Sequence, residues 1–379
     1  MRPRIQALSR DLYDHPELSL RERRSSAALQ RFLARERFSV RRGVAGLPTA
    51  FVARRRSGRG GPRLAFLAEF DALPQIGHAC GHNLIGAAAC GAAAVVGRLL
   101  EGRRGEVLVI GTPAEETIGG KVQMARRGVF RGLDAALMFH PSAEDRVYTT
   151  SLACHSIEVV FEGKEAHAVA APEKGINALT ALLRLFAEVE RILERATPEV
   201  RIPGIVVEGG QRANVVPGRA VGRFSLRARD LATLARVERA FRAATRRAAT
   251  SVGARARIRF IDLPYAHMRT NRVMADLFKE ELKDLGRATI DTPRKSMGSL
   301  DMGNVSQVVP SIHPYVAVAP PGTPLHSRPF ARCAGSARGR AGLDVATQAL
   351  ARTALVLLDE PRLLDQARRE FRHGGGGAA

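Results

Sequence analysis

The chain has no tryptophan, only four tyrosines and an aromatic content of 5% over 379 residues. Proteins that hold single-stranded nucleic acid stack bases on aromatic side chains set among basic ones, and no such interleaving occurs here. Cysteine is as scarce: Cys80, Cys90, Cys154 and Cys333 are too few and too scattered for a disulfide framework. No continuous apolar run reaches the roughly 18 residues of a membrane span. The opening segment, MRPRIQALSRDLYDHPELSLRE, carries charges where a signal peptide needs an apolar stretch. These absences together predict a cytoplasmic protein with no membrane partner. Acidic residues are also short, 37 Asp and Glu against 59 Lys and Arg, for a net charge of +22. The arginines are spread over the whole length, which reads as a basic bias on solvated faces. Nonspecific attraction to polyanions at low salt is compatible with it; a specific nucleic-acid partner is not indicated.

What is present is a hydrophobic content of 45%, ordinary for a globular protein, and a length that predicts more than one core. Residues 68–91, AEFDALPQIGHACGHNLIGAAACG, place Asp71, His78, Cys80 and His82 within a dozen positions, with Gly77 and Gly81 among them. Thiolate, imidazole and carboxylate at this spacing suit a transition metal; a turn holding a polar cluster has the same residues. Cys90, inside the small-residue helix 83–100, reads as core.

The strand pattern favours the metal. LAFLAEF (64–70) is a buried strand, and Asp71 lies just past its end. EVLVIG (106–111) runs into TPAEETIGG, which carries Glu115 and Glu116. DAALMF (134–139) ends at His140. Each strand delivers acid, base or metal-capable groups at its C-terminal end, where open α/β sheets collect ligands. From Cys154 the pattern changes to β-α-β-β-α-β, with helices at 176–195 and 231–252, a ferredoxin-like unit inserted into the first domain. The α/β pattern resumes with a helix at 271–285, the loop KSMGSLDMGN, a strand at 312–319, the turn PPGTPLHSRPF with His326, and a last long helix at 343–358. HGGGGAA reads as a disordered tail.

HPELSLRE, EFDALPQIGHACGHN, GTPAEETIGG, FHP, GKEAHAVAAPEKGINAL, GGQRANVVPGRA, SLDMGNVSQVVPSIHPY and PLHSRPF occur in this order over nearly the full length. In these motifs the chain resembles the aminoacylase-type di-metal hydrolases, peptidase family M20. It is nearest the branch of amidohydrolases that holds p-aminobenzoyl-glutamate hydrolase and the β-alanyl-lysine type dipeptidases. The resemblance implies an α/β fold, a zinc-peptidase-like mixed-sheet catalytic domain with an inserted α+β ferredoxin-like lid and dimerisation domain. Its boundaries would be 1–153 and 266–372 for the catalytic domain, 154–265 for the insertion and 373–379 for the tail.

The resemblance further implies a hydrolase that cleaves the amide bond of an N-acyl amino acid or dipeptide-like substrate, as a homodimer. Two divalent ions, zinc or manganese with cobalt as an option, would be held by Cys80, His82, Glu116, His140 and His326. Asp71 would orient a ligand, and His78 would be structural or support a ligand from behind rather than bind the metal. Glu115 would be the general base, and His167 would stabilise the oxyanion, often in the partner's site, rather than stand as a solvated loop histidine. Asn214 and Arg227 would touch substrate, the arginine at its carboxylate, with Gly298 and Ser299 near the pocket. Asn83 departs from the Asp that many relatives carry, which changes a neighbouring charge but removes no ligand.

Overall fold

A computed structural model describes residues 1–292 and 298–374. The expected tail is therefore outside the described residues from 375 onward, as is the KSM part of the KSMGSLDMGN loop. The chain divides into two compact units, Met1–Thr150 with Met268–Ala379, and Ser151–His267. β-Strand pairing of Cys154 with Tyr265 ties the two ends of the second unit together.

In the first unit, α1 (Arg2–Asp14) and α2 (Arg23–Arg35) are separated at His15-Pro16, since a residue before proline avoids the α region. Next come β1 (Ser39–Arg42), β2 (Phe51–Ser57), β3 (Arg63–Ala68), α3 (His82–Arg98), β4 (Gly105–Gly111), α4 (Gly120–Arg126), β5 (Ala135–Leu137) and β6 (His140–Ser142). β1 was not foreseen: its SVRR is mostly exposed and shows no apolar alternation. The second unit holds β7 (Ala153–Glu162), α5 (Ala178–Glu194), β8 (Gly204–Glu208), β9 (Arg219–Ala228), α6 (Leu231–Thr250) and β10 (Arg255–Phe260). The first unit resumes with α7 (Arg272–Asp284), α8 (Met302–Ser306), β11 (Ser311–Ile312), β12 (Tyr315–Ala317), α9 (Arg328–Ala334), α10 (Ala337–Asp359) and α11 (Pro361–Arg372).

The main sheet runs β1-β2-β4-β3-β5-β11. Its centre is parallel, β4 with β3, β3 with β5 and β5 with β11, while β1 and β2 are antiparallel additions. Leu64 to Ala68 of β3 are all buried, as a strand covered on both faces requires. α3 is buried along nearly its whole length. Its small residues let neighbours approach closely: a Cβ on Gly91 would stand 2.6 Å from Ile5 Cδ1 and 3.1 Å from Thr347 Cγ2. α10 is long and apolar enough to cross a membrane, but it packs on α3 and buries Leu343, Leu350, Ala354 and Leu357. It starts earlier than position 343 because the Ser336 hydroxyl caps it, accepting from the Gly339 N–H at 3.2 Å. The helix α11 beyond it was missed. Its charged sequence buries only Leu364 and Ala367, and Pro361 opens it at the first helical turn.

Two breaks matter for function. The strand expected at 134–139 stops at Leu137, and the one expected at 312–319 is split at His313-Pro314. Both chain segments leave the main sheet there and pair again as β6 with β12, where the His140 N–H donates to the Pro314 carbonyl at 2.8 Å. Proline cannot donate to the ladder, so the crossing from one sheet to the other falls at that residue. The step carries His140 and His313 out beyond the strand ends.

The second unit forms one antiparallel sheet in the order β10-β7-β9-β8 with α5 and α6 packed on it. This is the split βαβ arrangement of a ferredoxin-like fold. Asn177 and Asp230 open the two helices, their side-chain oxygens accepting from the Thr180 and Thr233 N–H groups at 2.9 and 2.6 Å. β8 lies at the edge, with Ile205, Val206 and Val207 exposed.

Candidate active site

The turn between β3 and α3 is a tight one. Gly81 sits in the left-handed region at φ 79°, and a Cβ there would come within 2.7 Å of Pro141 Cγ. Glycine is what allows both the turn and the approach of β6 to it. The result is that Cys80 Sγ lies 3.3 Å from His140 Nε2. His326 is itself at φ 57°, uncommon for a residue with a side chain. Its N–H donates to the Ala79 carbonyl at 3.0 Å, which pins the downstream turn against the first one. His326 Nε2 then stands 3.5 Å from Glu116 Oε1, and His82 Nε2 is 3.8 Å from the same oxygen.

Three donor sets of this unit lie close enough to share an ion: Cys80 with His82 and His140, Cys80 with Glu116 and His326, and His82 with Glu115 and Glu116. Donor orientation is fixed from behind. His82 gives its Nδ1–H to Asp71 Oδ1 at 3.1 Å, so Nε2 faces the cluster. His140 gives Nδ1–H to the Pro141 carbonyl at 2.8 Å, so its Nε2 faces Cys80. Such outer bonds set the tautomer and direction of metal-ligating histidines. The fit to a cation is seen in what the protein leaves unpaired. His82 Nε2 and Glu116 Oε1 are buried and, among the described residues, make no hydrogen bond, a costly arrangement without a further partner.

The ionisable groups agree. Glu69, Glu115 and Asp301 share the ammonium of the fully buried Lys121, which donates to Glu69 and to Asp301 Oδ1, the latter at 2.7 Å. Burial, then the charges of Asp301 and Glu69, push the Glu115 carboxyl well above its ordinary range. Burial likewise pushes the Cys80 thiol up; a cation beside it supplies what would ionise it. Burial also pushes Asp71 up, but the bonds from His82, Glu116 N–H and Ser19 outweigh it and leave the group well below the usual carboxylate range.

The other expected residues sort as follows. His78 is buried, its Nε2 donates to the Leu12 carbonyl at 3.0 Å, and burial with the nearby His82 charge lowers its pKa to about 4. Asn83 donates to Ser9 Oγ at 3.1 Å, and Cys90 is buried in the core. Gly298 is exposed, and Ser299 Oγ is buried with no hydrogen bond among the described residues. In the second unit His167 is exposed, and its Nδ1 accepts from the Val169 and Ala170 N–H groups at 3.3 and 3.1 Å. The proton therefore sits on the outward Nε2. Ala168 N–H donates to the Asn214 carbonyl at 2.9 Å, so His167 and Asn214 share one rim. Arg227 lies near the far end of β9 from that rim. Its Nε donates to Ser225 Oγ at 3.1 Å, and among the described residues it has no carboxylate partner.

Sequence reasoning missed four residues. Glu69, Lys121 and Asp301 form a buried ion network, and the His313 ring lies 5.4 Å from that of His140. The signal for Lys121 was a lone cation at an otherwise apolar helix start; the other three sat inside quoted motifs without an assigned role.

The sequence model of the peptidase dimerisation domain matches residues 152–251. An Xaa-Arg dipeptidase of Mus musculus is 36% identical over 97% of this chain and 89% of its own length. The chain belongs to the M20 family of metal-dependent amide hydrolases. The Xaa-Arg dipeptidase of Homo sapiens is 34% identical over the same shares. One of the p-aminobenzoyl-glutamate hydrolase subunits of Escherichia coli is 35% identical over 61% of this chain and 52% of that protein. Among solved structures, a dinuclear metal binding M20 peptidase of Bacillus subtilis superposes with a TM-score of 0.75 at 22% identity, covering 94% of this chain and 98% of that one. An aminobenzoyl-glutamate utilization protein of Klebsiella pneumoniae gives 0.70 at 21%, covering 93% and 95%. At these identities the structural likeness speaks to the M20 fold alone.

Proposed function

We propose that this M20 hydrolase cleaves dipeptides and dipeptide-like amides whose amine half is an amino acid with a free carboxylate, those ending in arginine first. The convergence of donors from two strand-end loops, β6 and the His326 turn, around buried unpaired His82 Nε2 and Glu116 Oε1 carries the reading. Two divalent ions, zinc or manganese with cobalt as a substitute, would be held by Cys80, His82, Glu116, His140 and His326. The thiolate favours zinc, while carboxylate and imidazole also accept manganese. Such ions, when bound, polarise the scissile carbonyl and acidify water.

Glu115 then does the proton work. It takes a proton from the attacking water and delivers it to the leaving nitrogen, a task suited to a carboxylate whose pKa is raised above its ordinary value. Glu116 is occupied as a ligand and cannot share this role. Asp71 holds His82 in one tautomer. His167, with its proton on Nε2, donates to the oxyanion of the tetrahedral state, and Asn214 on the same rim contacts substrate. Arg227, at the opposite end of β9 from the His167 rim, would receive with its planar fork the carboxylate of a substrate other than the one its own chain's His167 serves. The exposed edge of β8 is the dimer contact, since an unpaired apolar edge strand is a template for another chain.

Support for arginine-ended dipeptides comes from the two mammalian relatives, which span nearly the whole chain. The test is hydrolysis by metal-loaded protein of Xaa-Arg and β-alanyl-lysine dipeptides, p-aminobenzoyl-glutamate and N-acetyl amino acids. Cleavage of Xaa-Arg at the highest kcat/KM is expected. Preference for p-aminobenzoyl-glutamate would replace the substrate assignment, and no cleavage of any would overturn the reading.

A further inference from the structure

Glu69 ends up between two unlike neighbours. One carboxylate oxygen, Oε1, accepts from Lys121 Nζ, which is fully buried and also donates to Asp301 Oδ1 at 2.7 Å. Asp301 is fixed in turn, since its Oδ2 accepts the Lys121 N–H at 3.0 Å. Three chain segments are locked here: the end of β3, the start of α4 and the residue before α8. The second oxygen, Glu69 Oε2, is buried and lies 3.3 Å from His82 Nε2, and among the described residues neither atom makes a hydrogen bond. His82 has already given its Nδ1–H to Asp71. The two buried atoms thus face one another at ion-pair distance with no hydrogen bond between them among the described residues.

That separation has a ready meaning. Donors at about 2.0–2.2 Å from one ion stand about 2.8–3.6 Å from each other in octahedral or tetrahedral arrangements. The Cys80 Sγ to His140 Nε2 distance, 3.3 Å, and the His326 Nε2 to Glu116 Oε1 distance, 3.5 Å, fall in the same range. Glu69 Oε2 and His82 Nε2 therefore have the spacing of two ligands on one cation.

We propose that Glu69 is an additional carboxylate donor to the ion held by His82, clamped in a ligating orientation by the buried Lys121–Asp301 pair. This rests on the metal reading of the site and extends it by one donor and one clamp. Lys121 is a positioning residue: it occupies one oxygen of Glu69 so that the other can only turn toward His82. Neutral Lys121 analogues would free the carboxylate to rotate, and an amide at Glu69 would replace the anionic donor by a weaker one.

Cobalt(II) is the probe, because its visible absorption reports the number of donors without any need for turnover. Metal-stripped parent, Glu69→Gln and Lys121→Met are titrated with cobalt(II) against a coloured chelator. The parent binds cobalt. Glu69→Gln is expected to change the intensity of the visible bands and to weaken binding of one ion about tenfold or more. Lys121→Met shows part of the same change. Should either variant fail to fold, Glu69→Gln/Lys121→Met/Asp301→Asn, which leaves no buried charge unpaired, reports the same loss of a donor. Spectra and chelator competition identical to the parent's in a folded Glu69→Gln or triple variant overturn the assignment while the metal site stands. A parent that binds no cobalt, zinc or manganese overturns the metal reading itself and this inference with it.

Discussion

Replacing Asp71 by Asn tests whether the site is organised from behind its ligands. The carboxylate accepts three bonds: His82 Nδ1–H at 3.1 Å on Oδ1, and the Ser19 hydroxyl at 2.8 Å and Glu116 N–H at 3.1 Å on Oδ2. An asparagine of the same shape has one acceptor. If its oxygen keeps His82, its NH2 meets the Glu116 N–H, and Ser19 can turn to accept while the backbone donor cannot. One buried N–H is then left unpaired, at a cost of about 1–3 kcal/mol. The charge that fixes His82 is lost as well, and outer-shell changes of this kind lower metal affinity about 10–100-fold. Metal-stripped Asp71→Asn should melt several degrees below the parent at pH 7, and chelator competition should show the affinity loss. Because the folded carboxyl lies below its ordinary value, its contribution is present above the unfolded value of about 3.9 and is lost as pH falls through the folded one. The contribution of the Asp71 carboxylate should accordingly be full at pH 5 and begin to be lost only below about pH 4. Unchanged metal affinity would refute the reasoning that Asp71 organises His82.

Gly81→Ala forces a Cβ to 2.7 Å from Pro141 Cγ at a φ of 79°. With about 1–2 kcal/mol for the left-handed backbone and about 1–3 for overpacking, the metal-stripped protein should lose roughly 2–5 kcal/mol by denaturant titration. Val206→Lys places like charges along the exposed edge of β8 and should shift the protein to monomer in analytical ultracentrifugation. His167→Ala should lower kcat by about 10²–10³, the size of a lost oxyanion donor, while metal content by elemental analysis stays at the parent's value.

Much of the first unit was legible because its signals are local. Buried runs such as LAFLA have a strand's length, and proline and glycine mark their ends. The site residues stood out because acid, thiol and imidazole recur just after those runs. The step at His313-Pro314 was not legible. Apolar residues continue on both sides of it, and only the pairing of β12 with β6 reveals that the strand changes sheets. The Lys121 network escaped for a related reason. A buried charge is recognised by its partners, and Glu69 and Asp301 lie 52 and 180 residues away along the chain. α11 was lost in its own charge, since two buried residues leave almost no apolar stripe.

In the proposed chemistry the cluster holds two ions through its ligands and leaves the neighbouring Glu115 free to move protons. Elemental analysis of metal-loaded parent and Glu115→Gln, beside hydrolysis of an Xaa-Arg dipeptide, tests it most directly. The account predicts two ions per chain in both proteins, with turnover in the parent and none measurable in the variant. Loss of metal from Glu115→Gln, or turnover that survives in it, would contradict the division of work between Glu115 and Glu116.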